Sequence, residues 1–174
     1  MKTYTTARLI LRQWQESDIL PFAEMNSDVE VMKYFPNIWA FEKSLKMYND
    51  CLNNKSGIGW YPVEEKISGK FIGFVGLNNP NFMPNSVEIG WRLKKEFWGK
   101  GYATEAAKKW LEIGFDEYGL KEIISFTAKQ NQKSQEVMNR IGLRRDEKRD
   151  FLHPNIPAEH PLAFHLFYAI QNCK

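Results

Sequence analysis

Residues 87–106 read VEIGWRLKKEFWGKGYATEA and change character halfway along. The first part, residues 87–93, is typical of a β-strand with a glycine inside it. From Ala103 onward, apolar residues recur at the spacing of a core-facing helix. Gly99 and Gly101 lie in the connection between the two. The stretch therefore predicts a strand, a glycine-rich loop and a helix.

The glycine-rich loop has the composition of an anion site. Gly99 and Gly101 permit positive φ angles and close approach of a ligand to the backbone. Backbone N–H groups in front of a helix N-terminus bind anions, and Lys100 adds a positive charge. A phosphate or pyrophosphate is the natural ligand, and a connection that binds nothing is the alternative.

Three phosphate-binding motifs can be compared with this loop. The P-loop pattern G-x-x-x-x-G-K-[ST] is absent. A dinucleotide fingerprint would need a third glycine where Thr104 stands, and an acidic residue near the end of the next strand, where there is none. The acyl-coenzyme-A loop, [RQ]-x-x-G-x-[GA], matches at Gly101 and Ala103 but has Trp98 at its first position.

The flanking sequence predicts an α+β fold with a mixed sheet. Three strands joined by tight turns, at 60–65, 70–77 and 87–93, predict an antiparallel meander. A further strand at 122–128 precedes a helix that begins at Asn131. The other predicted elements are a strand at 8–14, helices at 17–25, 28–34 and 41–53, and final strands at 143–150 and 163–170.

Composition limits the class of protein. The 174 residues, 43% of them hydrophobic and 26% charged, predict one folded domain, residues 1–174. The net charge of +3 is too small to require a nucleic-acid partner. No apolar run approaches the ~20 residues of a membrane span. Cys51 and Cys173 are isolated and no secretory signal is visible, so we expect a cytoplasmic protein.

A second motif, N-x-x-S-x-x-[VL]-[ML]-x-x-x-G, begins at Asn131 and ends at Gly142. Asn131 can cap the helix, and a strand that splays from its neighbour before such a helix would leave a slot for a pantetheine arm. Together, VEIGWRL, EFWGKGYATEA and FTAKQNQKSQEVMNRIGL resemble the GNAT acetyltransferase superfamily. They are most similar to the branch that includes the N-terminal acetyltransferases of ribosomal proteins. Trp98 is usual in that branch, which the opening TARLILRQW and ESD also fit.

The resemblance implies a GNAT-type, mostly antiparallel sheet flanked by helices, with a splayed central strand pair forming the acyl-CoA slot. It implies acetyl-CoA as the acetyl donor and no metal. Backbone N–H groups of residues 99–104 would hold the pyrophosphate, Asn131 would meet the pantetheine arm, and Ser134 would lie near the sulfur. The cofactor-binding residues implied are Gly90, Trp91, Arg92, Leu93, Trp98, Gly99, Lys100, Gly101, Tyr102, Ala103, Thr104, Asn131 and Ser134.

Attack of an amine on a thioester needs a base, an oxyanion site and protonation of the leaving sulfur. Glu88 is the first candidate for the base because it is the only acidic residue in the third meander strand, although it could equally face solvent or pair with a lysine. Ser134 and Tyr168 compete as the acid. An N–H within residues 90–93 would support the oxyanion, with a bulge at Gly90. Glu105 is a weaker candidate for the base, because a carboxylate in the first turn of a helix is explained by its favourable interaction with the positive end of the helix dipole.

These residues predict transfer of an acetyl group to a primary amine, either a protein N-terminus or a small amine, by a monomer or homodimer. A non-catalytic acyl-CoA-binding regulatory module and a nucleic-acid or ribosome-associated adaptor are the alternatives. His153, His160 and His165 lack the spacing of an obvious metal site. We expect them to face solvent in a loop between the last two strands. The alternative is that this loop lines the acceptor pocket.

Overall fold

A computed structural model describes residues 2–54 and 56–172. Its nine strands and four α-helices, within those residues, are β1 (Tyr4–Thr5), β2 (Leu9–Leu11), α1 (Ile19–Ser27), α2 (Phe41–Asn53), β3 (Trp60–Glu65), β4 (Lys70–Asn78), β5 (Glu88–Leu93), α3 (Tyr102–Asp116), β6 (Glu122–Ala128), α4 (Gln132–Arg140), β7 (Arg144–Arg145), β8 (Phe151–Leu152) and β9 (Phe164–Gln171). The strands form one sheet in the order β1-β2-β3-β4-β5-β6-β9-β7, with β8 against β9. Among the strands of these described residues, β5 and β6 form the one parallel pair, and the other pairs are antiparallel. The predicted α+β fold with a mostly antiparallel sheet is confirmed.

Helices cover both faces of this sheet, and side-chain alternation along each strand assigns residues to a face. On the α3 face, Ile89 of β5 packs in a core around Trp110. On the α1 face, Phe74 packs in a second core around Phe22 and Tyr48. Glu88, Gly90 and Arg92 of β5 share the α1 face because they alternate with Ile89. The strand β5 therefore presents Ile89 to the core on the α3 face, and Glu88, Gly90 and Arg92 to the α1 face.

The entrance to α1 is held by a buried ion-pair network around Arg12. Its guanidinium donates to both carboxylate oxygens of Asp18, at 2.7 and 2.9 Å, and its Nε donates to Glu64 at 2.7 Å. Asp18 also accepts from the Gln15 N–H. Such a network orders the segment before α1 because each buried charge finds an opposite charge.

Two predictions of secondary structure were wrong. Residues 28–34 form turns instead of a helix. One helical bond joins the Met32 N–H to the Asp28 carbonyl, but the bonds from Lys33 to Glu30 and from Phe35 to Met32 span only three residues, and Pro36 follows without an N–H. Of the single strand predicted at 143–150, only Arg144–Arg145 pairs in the sheet, as β7, and the next strand, β8, begins beyond the predicted range at Phe151. Asp146 accepts from the Lys148 N–H and begins a short 3-10 turn between them.

Of the two cysteines, Cys51 is buried with a free thiol, and burial raises its pKa to about 12. Cys173 lies outside the described residues. Within residues 2–54 and 56–172, no helix combines the length and the apolar character needed to cross a bilayer.

Candidate active site

The site is built around a gap between β5 and β6. Their parallel ladder has one registered pair, Glu88 with Ile124, closed by a bond from the Ile124 N–H to the Val87 carbonyl at 2.9 Å. Just beyond it, the buried Ser125 hydroxyl donates to the Ile89 carbonyl at 2.8 Å. No further ladder joins the two strands, so their carboxyl-terminal halves diverge, as the resemblance implied. Sequence reasoning missed Ser125, whose only signal is a polar residue inside an apolar strand.

The glycine-rich loop lies between β5 and the N-terminus of α3. Gly99 and Gly101 both have left-handed backbones, with φ of +74° and +79°. No atom lies within 4 Å of a Cβ placed at Gly99, and the nearest to one at Gly101 is Arg8 Nη2 at 3.5 Å. Glycine is therefore required by backbone conformation, and space remains in front of the loop. The first N–H groups of α3 have no partners inside the helix.

The N-terminal segment holds this loop against α3. Glu105, in the first turn of α3, accepts from the Thr6 hydroxyl at 2.5 Å, the Arg8 N–H at 2.8 Å and Arg8 Nε at 2.7 Å. Arg8 Nη1 donates to the Lys100 carbonyl at 2.9 Å. Burial alone would raise the pKa of Glu105, but these hydrogen bonds outweigh it and lower the pKa. Glu105 thus has a positioning role.

The side chains of the loop mostly contact protein. Trp98 Nε1 donates to the Leu93 carbonyl at 2.8 Å, and the Lys133 ammonium lies 4.3 Å from the centre of the Trp98 ring. Tyr102 is buried and donates from its hydroxyl to Glu65. Lys100 lies over Phe97, with its ammonium 4.8 Å from the ring centre. The remaining residues implied for the cofactor, Trp91, Ala103 and Thr104, lie on β5 or in the first turn of α3.

Asn131 caps α4, as predicted. Its side-chain oxygen accepts from the Ser134 N–H at 3.3 Å, and its amide donates to the Thr127 hydroxyl at 2.9 Å. An amide has two donor hydrogens and two acceptor lone pairs, so one of each is left for a ligand. No hydrogen bond of the described residues uses the Ser134 hydroxyl, which is half-buried at the start of α4.

Glu88 lies on the α1 face beside Gly90. A Cβ placed at Gly90 would be 2.8 Å from the Trp60 ring and 3.7 Å from Glu88 Oε1, so ring and carboxyl flank the glycine. The residue as a whole is half-buried, but its carboxyl is desolvated. Burial raises the pKa of Glu88 to about 8, although a hydrogen bond with Asn78 opposes the shift. The β4–β5 register is regular here, so the predicted bulge at Gly90 was wrong; the glycine makes room for Trp60.

Tyr168 lies on the opposite face from Glu88. It pairs with Ser125 in the β6–β9 ladder and packs in the α3-face core, with 4% of its surface exposed. Burial raises its pKa. No hydrogen bond of the described residues uses its hydroxyl. The structure therefore separates two of the three predicted catalytic residues, Glu88 and Tyr168, onto different sides of the sheet.

Five rings around Phe126 of β6 form a cluster that the sequence did not reveal. The ring cluster consists of Phe82, Phe126, Phe151, His153 and His165, with neighbouring centroids 4.8 to 6.2 Å apart. It lies on the α1 face, because Phe126 alternates in phase with Ile124. The five rings come from four separate segments of the chain, so no spacing rule could have assembled them.

The prediction of solvent-facing histidines was wrong for His165. It lies within β9 with 7% of its surface exposed, and its Nδ1 contacts the Ala163 carbonyl at 3.1 Å. Burial lowers its pKa to about 4, so it is neutral at physiological pH. His153 is half-buried, and burial lowers its pKa too. Among the described residues, no group of three or more His, Cys, Asp or Glu is arranged to hold a metal ion.

Comparison with known proteins agrees with this geometry. The family model described as an acetyltransferase (GNAT) domain matches residues 8–144. The uncharacterized N-acetyltransferase YnaD of Bacillus subtilis is 33% identical over 166 residues, which cover 95% of each chain. A GNAT-family acetyltransferase structure from Bacillus anthracis is 30% identical, with a TM-score of 0.82 and 98% of each chain covered.

The ribosomal-protein branch is represented among the solved structures. The ribosomal-protein-S5-alanine acetyltransferase of Vibrio fischeri shares the fold, with a TM-score of 0.79 at 19% identity over 99% of this chain and 98% of its own. The resemblance read from the sequence is thus confirmed at the level of family. The protein is an enzyme, and the chain belongs to the GNAT acetyltransferase family.

Proposed function

We propose that the protein transfers an acetyl group from acetyl-CoA to a primary amine by direct attack on the thioester. The observation that carries this proposal is the opening of the sheet after the single Glu88–Ile124 pair, toward the end of β5 from which the chain continues into the left-handed glycine loop. GNAT-family proteins use acetyl-CoA. Pyrophosphate would bind the N–H groups of residues 99–104, and the pantetheine arm would pair along the exposed edges of β5 and β6.

In this proposal, deprotonation of the amine and hydrogen bonding to the leaving sulfur take place on different sides of the sheet. Glu88, on the α1 face, would remove a proton from the amine, and the ring cluster opposite would form an apolar wall for the acceptor. Ser134, beside the mouth of the gap, would donate a hydrogen bond to the departing sulfur. The amine would add to one face of the thioester carbonyl and form a tetrahedral intermediate, which would collapse with departure of the thiolate. Backbone N–H groups within residues 90–93 would support the oxyanion.

The reaction is tested with the purified protein, acetyl-CoA and a panel of peptides and small amines, with release of free thiol as the readout. We expect amine-dependent thiol release. The alternative of a non-catalytic regulatory module predicts acetyl-CoA binding in calorimetry but no thiol release with any amine. The panel also separates a protein N-terminus from a small amine as acceptor. A cytoplasmic location and a monomeric or homodimeric state remain part of this proposal.

Replacing the two candidate hydroxyls identifies the acid. We expect Ser134→Ala to lower kcat about tenfold, equivalent to ~1.4 kcal/mol of barrier, with little change in KM. Tyr168→Phe is the matched control. It should leave kcat near the parent value, because Tyr168 is only 4% exposed and lies in the core. The reverse result in steady-state kinetics would assign the proton to Tyr168, and a rise in KM alone for Ser134→Ala would make its hydroxyl a binding group.

Two substitutions of Asn131 separate helix capping from cofactor binding. Asn131→Ala removes both functions, so we expect a higher KM for acetyl-CoA and a loss of up to ~2 kcal/mol of stability. Asn131→Asp keeps the capping oxygen and loses the amide hydrogens. We expect its melting temperature to stay near that of the parent while KM still rises. If Asn131→Asp has the KM of the parent, Asn131 caps the helix and does not contribute to acetyl-CoA binding.

A further inference from the structure

Arg92 is a buried cation without a counter-ion. Only 8% of its surface is exposed, and no Asp or Glu within residues 2–54 and 56–172 forms an ion pair with it. Burial lowers the pKa of Arg92 to about 9, which leaves the guanidinium charged at neutral pH. Arg12, which is equally buried, is paired with two carboxylates. An unpaired buried charge costs several kcal/mol, so the isolation of Arg92 needs a reason.

One edge of the Arg92 guanidinium lacks an acceptor. Its Nη1 donates to Asn26 Oδ1 at 2.6 Å, and the rings of Phe35 and Trp39 lie 4.2 and 4.7 Å from its central carbon. Its Nε is buried with no hydrogen-bond partner, and no hydrogen bond of the described residues uses Nη2. These two nitrogens present parallel N–H groups, the arrangement that a carboxylate binds with both oxygens.

Arg92 is on the acceptor side of the sheet. It shares the α1 face of β5 with Glu88, roughly 13 Å away along the strand at 3.3 Å per residue. Gly90 lies between them with no side chain. Phe35 and Trp39, which flank the guanidinium, belong to the irregular segment between α1 and α2. A ligand that brings an amine to Glu88 can therefore extend along this face toward Arg92.

The local charge favours a monoanion. Lys94, the nearest cation along the strand, lies 3.6 Å from the Glu24 carboxylate. Arg92 carries one positive charge without a counter-ion, which a single carboxylate would neutralise. The Lys43 ammonium, 4.6 Å from the centre of the same Trp39 ring, adds to the attraction for an anion. A polyamine would place a second cation beside Arg92 and would be repelled.

We propose that Arg92 binds a carboxylate of the acceptor, so that the amines acetylated here are amino-carboxylates and not polyamines. The proposal rests on the function proposed above and assigns its acceptor class. The Asn26 amide orients the guanidinium, and the Phe35 and Trp39 rings stack on its faces, so the Nε–Nη2 edge recognises the carboxylate. Arg92 in this role is a specificity-determining residue.

Binding is measured separately from catalysis. Calorimetry with the whole protein compares ω-amino acids, from glycine to 6-aminohexanoate, each with its own amide, and includes spermidine. We expect at least one acid to bind tenfold or more tightly than its amide, and spermidine not to compete with it. Equal binding of every acid and its amide would overturn the assignment, and this comparison needs no variant.

Two variants connect the preference with Arg92. Arg92→Met should abolish the difference between acid and amide. Arg92→Lys keeps the charge but lacks the two-donor edge, so it should bind the acid at least tenfold more weakly than the parent does. This second variant tests the role of Arg92 if Arg92→Met does not fold. A preference that survives in a folded variant refutes the role of Arg92. Carboxylate-dependent binding without thiol release from acetyl-CoA would support this site while refuting the proposed acetyl transfer.

Discussion

Glu88→Gln is expected to lower kcat by about 10²-fold or more at neutral to mildly alkaline pH. The amide is nearly isosteric and can still bond to Asn78, but it cannot accept the proton of the attacking amine. The affinity for acetyl-CoA should change little, because Glu88 lies on the α1 face, away from the glycine loop. Steady-state kinetics together with calorimetry on acetyl-CoA measures both quantities. An equally active variant would remove Glu88 from the mechanism.

The pH profile gives an independent test of the same residue. The pKa of Glu88 is raised to about 8, so the carboxyl is mostly protonated below that pH and the rate should rise as pH increases through 8. An acceptor with an alkyl amine of pKa ~10.4 keeps its own titration separate. Glu88→Gln should lack the inflection near pH 8. A profile that keeps this inflection in the variant would assign it to another group.

A melting curve controls for folding of the same variant. Because the folded-state pKa of Glu88 is above its ordinary value of 4.5, the parent loses stability as pH rises from about 4.5 to about 8. Glutamine does not titrate. Glu88→Gln should therefore be no less stable than the parent at pH 9, and a loss of activity there cannot be attributed to unfolding.

Gly101→Val is expected to weaken acetyl-CoA binding about 100-fold, which is roughly 2.8 kcal/mol at 1.4 kcal/mol per tenfold. A β-branched residue cannot adopt a φ of +79° without strain, so the loop would rotate its N–H groups away from the pyrophosphate. Each hydrogen bond to a charged group contributes about 1.5–3 kcal/mol, so loss of one or two accounts for the effect. Calorimetry on the folded variant measures it.

Gly119→Val provides the matched control. Gly119 follows α3 with a φ of +61° and no atom within 4 Å of a Cβ placed there. The substitution imposes comparable backbone strain at the other end of the same helix. We expect both variants to lose similar stability and only Gly101→Val to lose affinity. Equal affinities in the two variants would mean that the loop does not hold the cofactor.

Local sequence patterns determined much of this fold. The boundaries of α2, β3 and β6 agree with those predicted, because side-chain periodicity reports helix or strand from neighbouring residues alone. The left-handed backbone of the glycine loop was also predictable from the sequence, because glycine by itself permits a positive φ. The family resemblance depends on the same local motifs, which are present in the sequence whatever the tertiary structure.

The tertiary structure determined which polar groups are buried and which groups they contact. Beside the single pair between β5 and β6, the Ser125 hydroxyl donates to the Ile89 carbonyl, a contact between residues 36 positions apart in the sequence. His165 is buried because Phe126 and Phe151 pack against it, and Arg92 has no counter-ion because no carboxylate in the described part of the chain folds back to it. Burial and pairing depend on the whole chain, so periodicity could predict the strand that carries Arg92 but not its missing counter-ion.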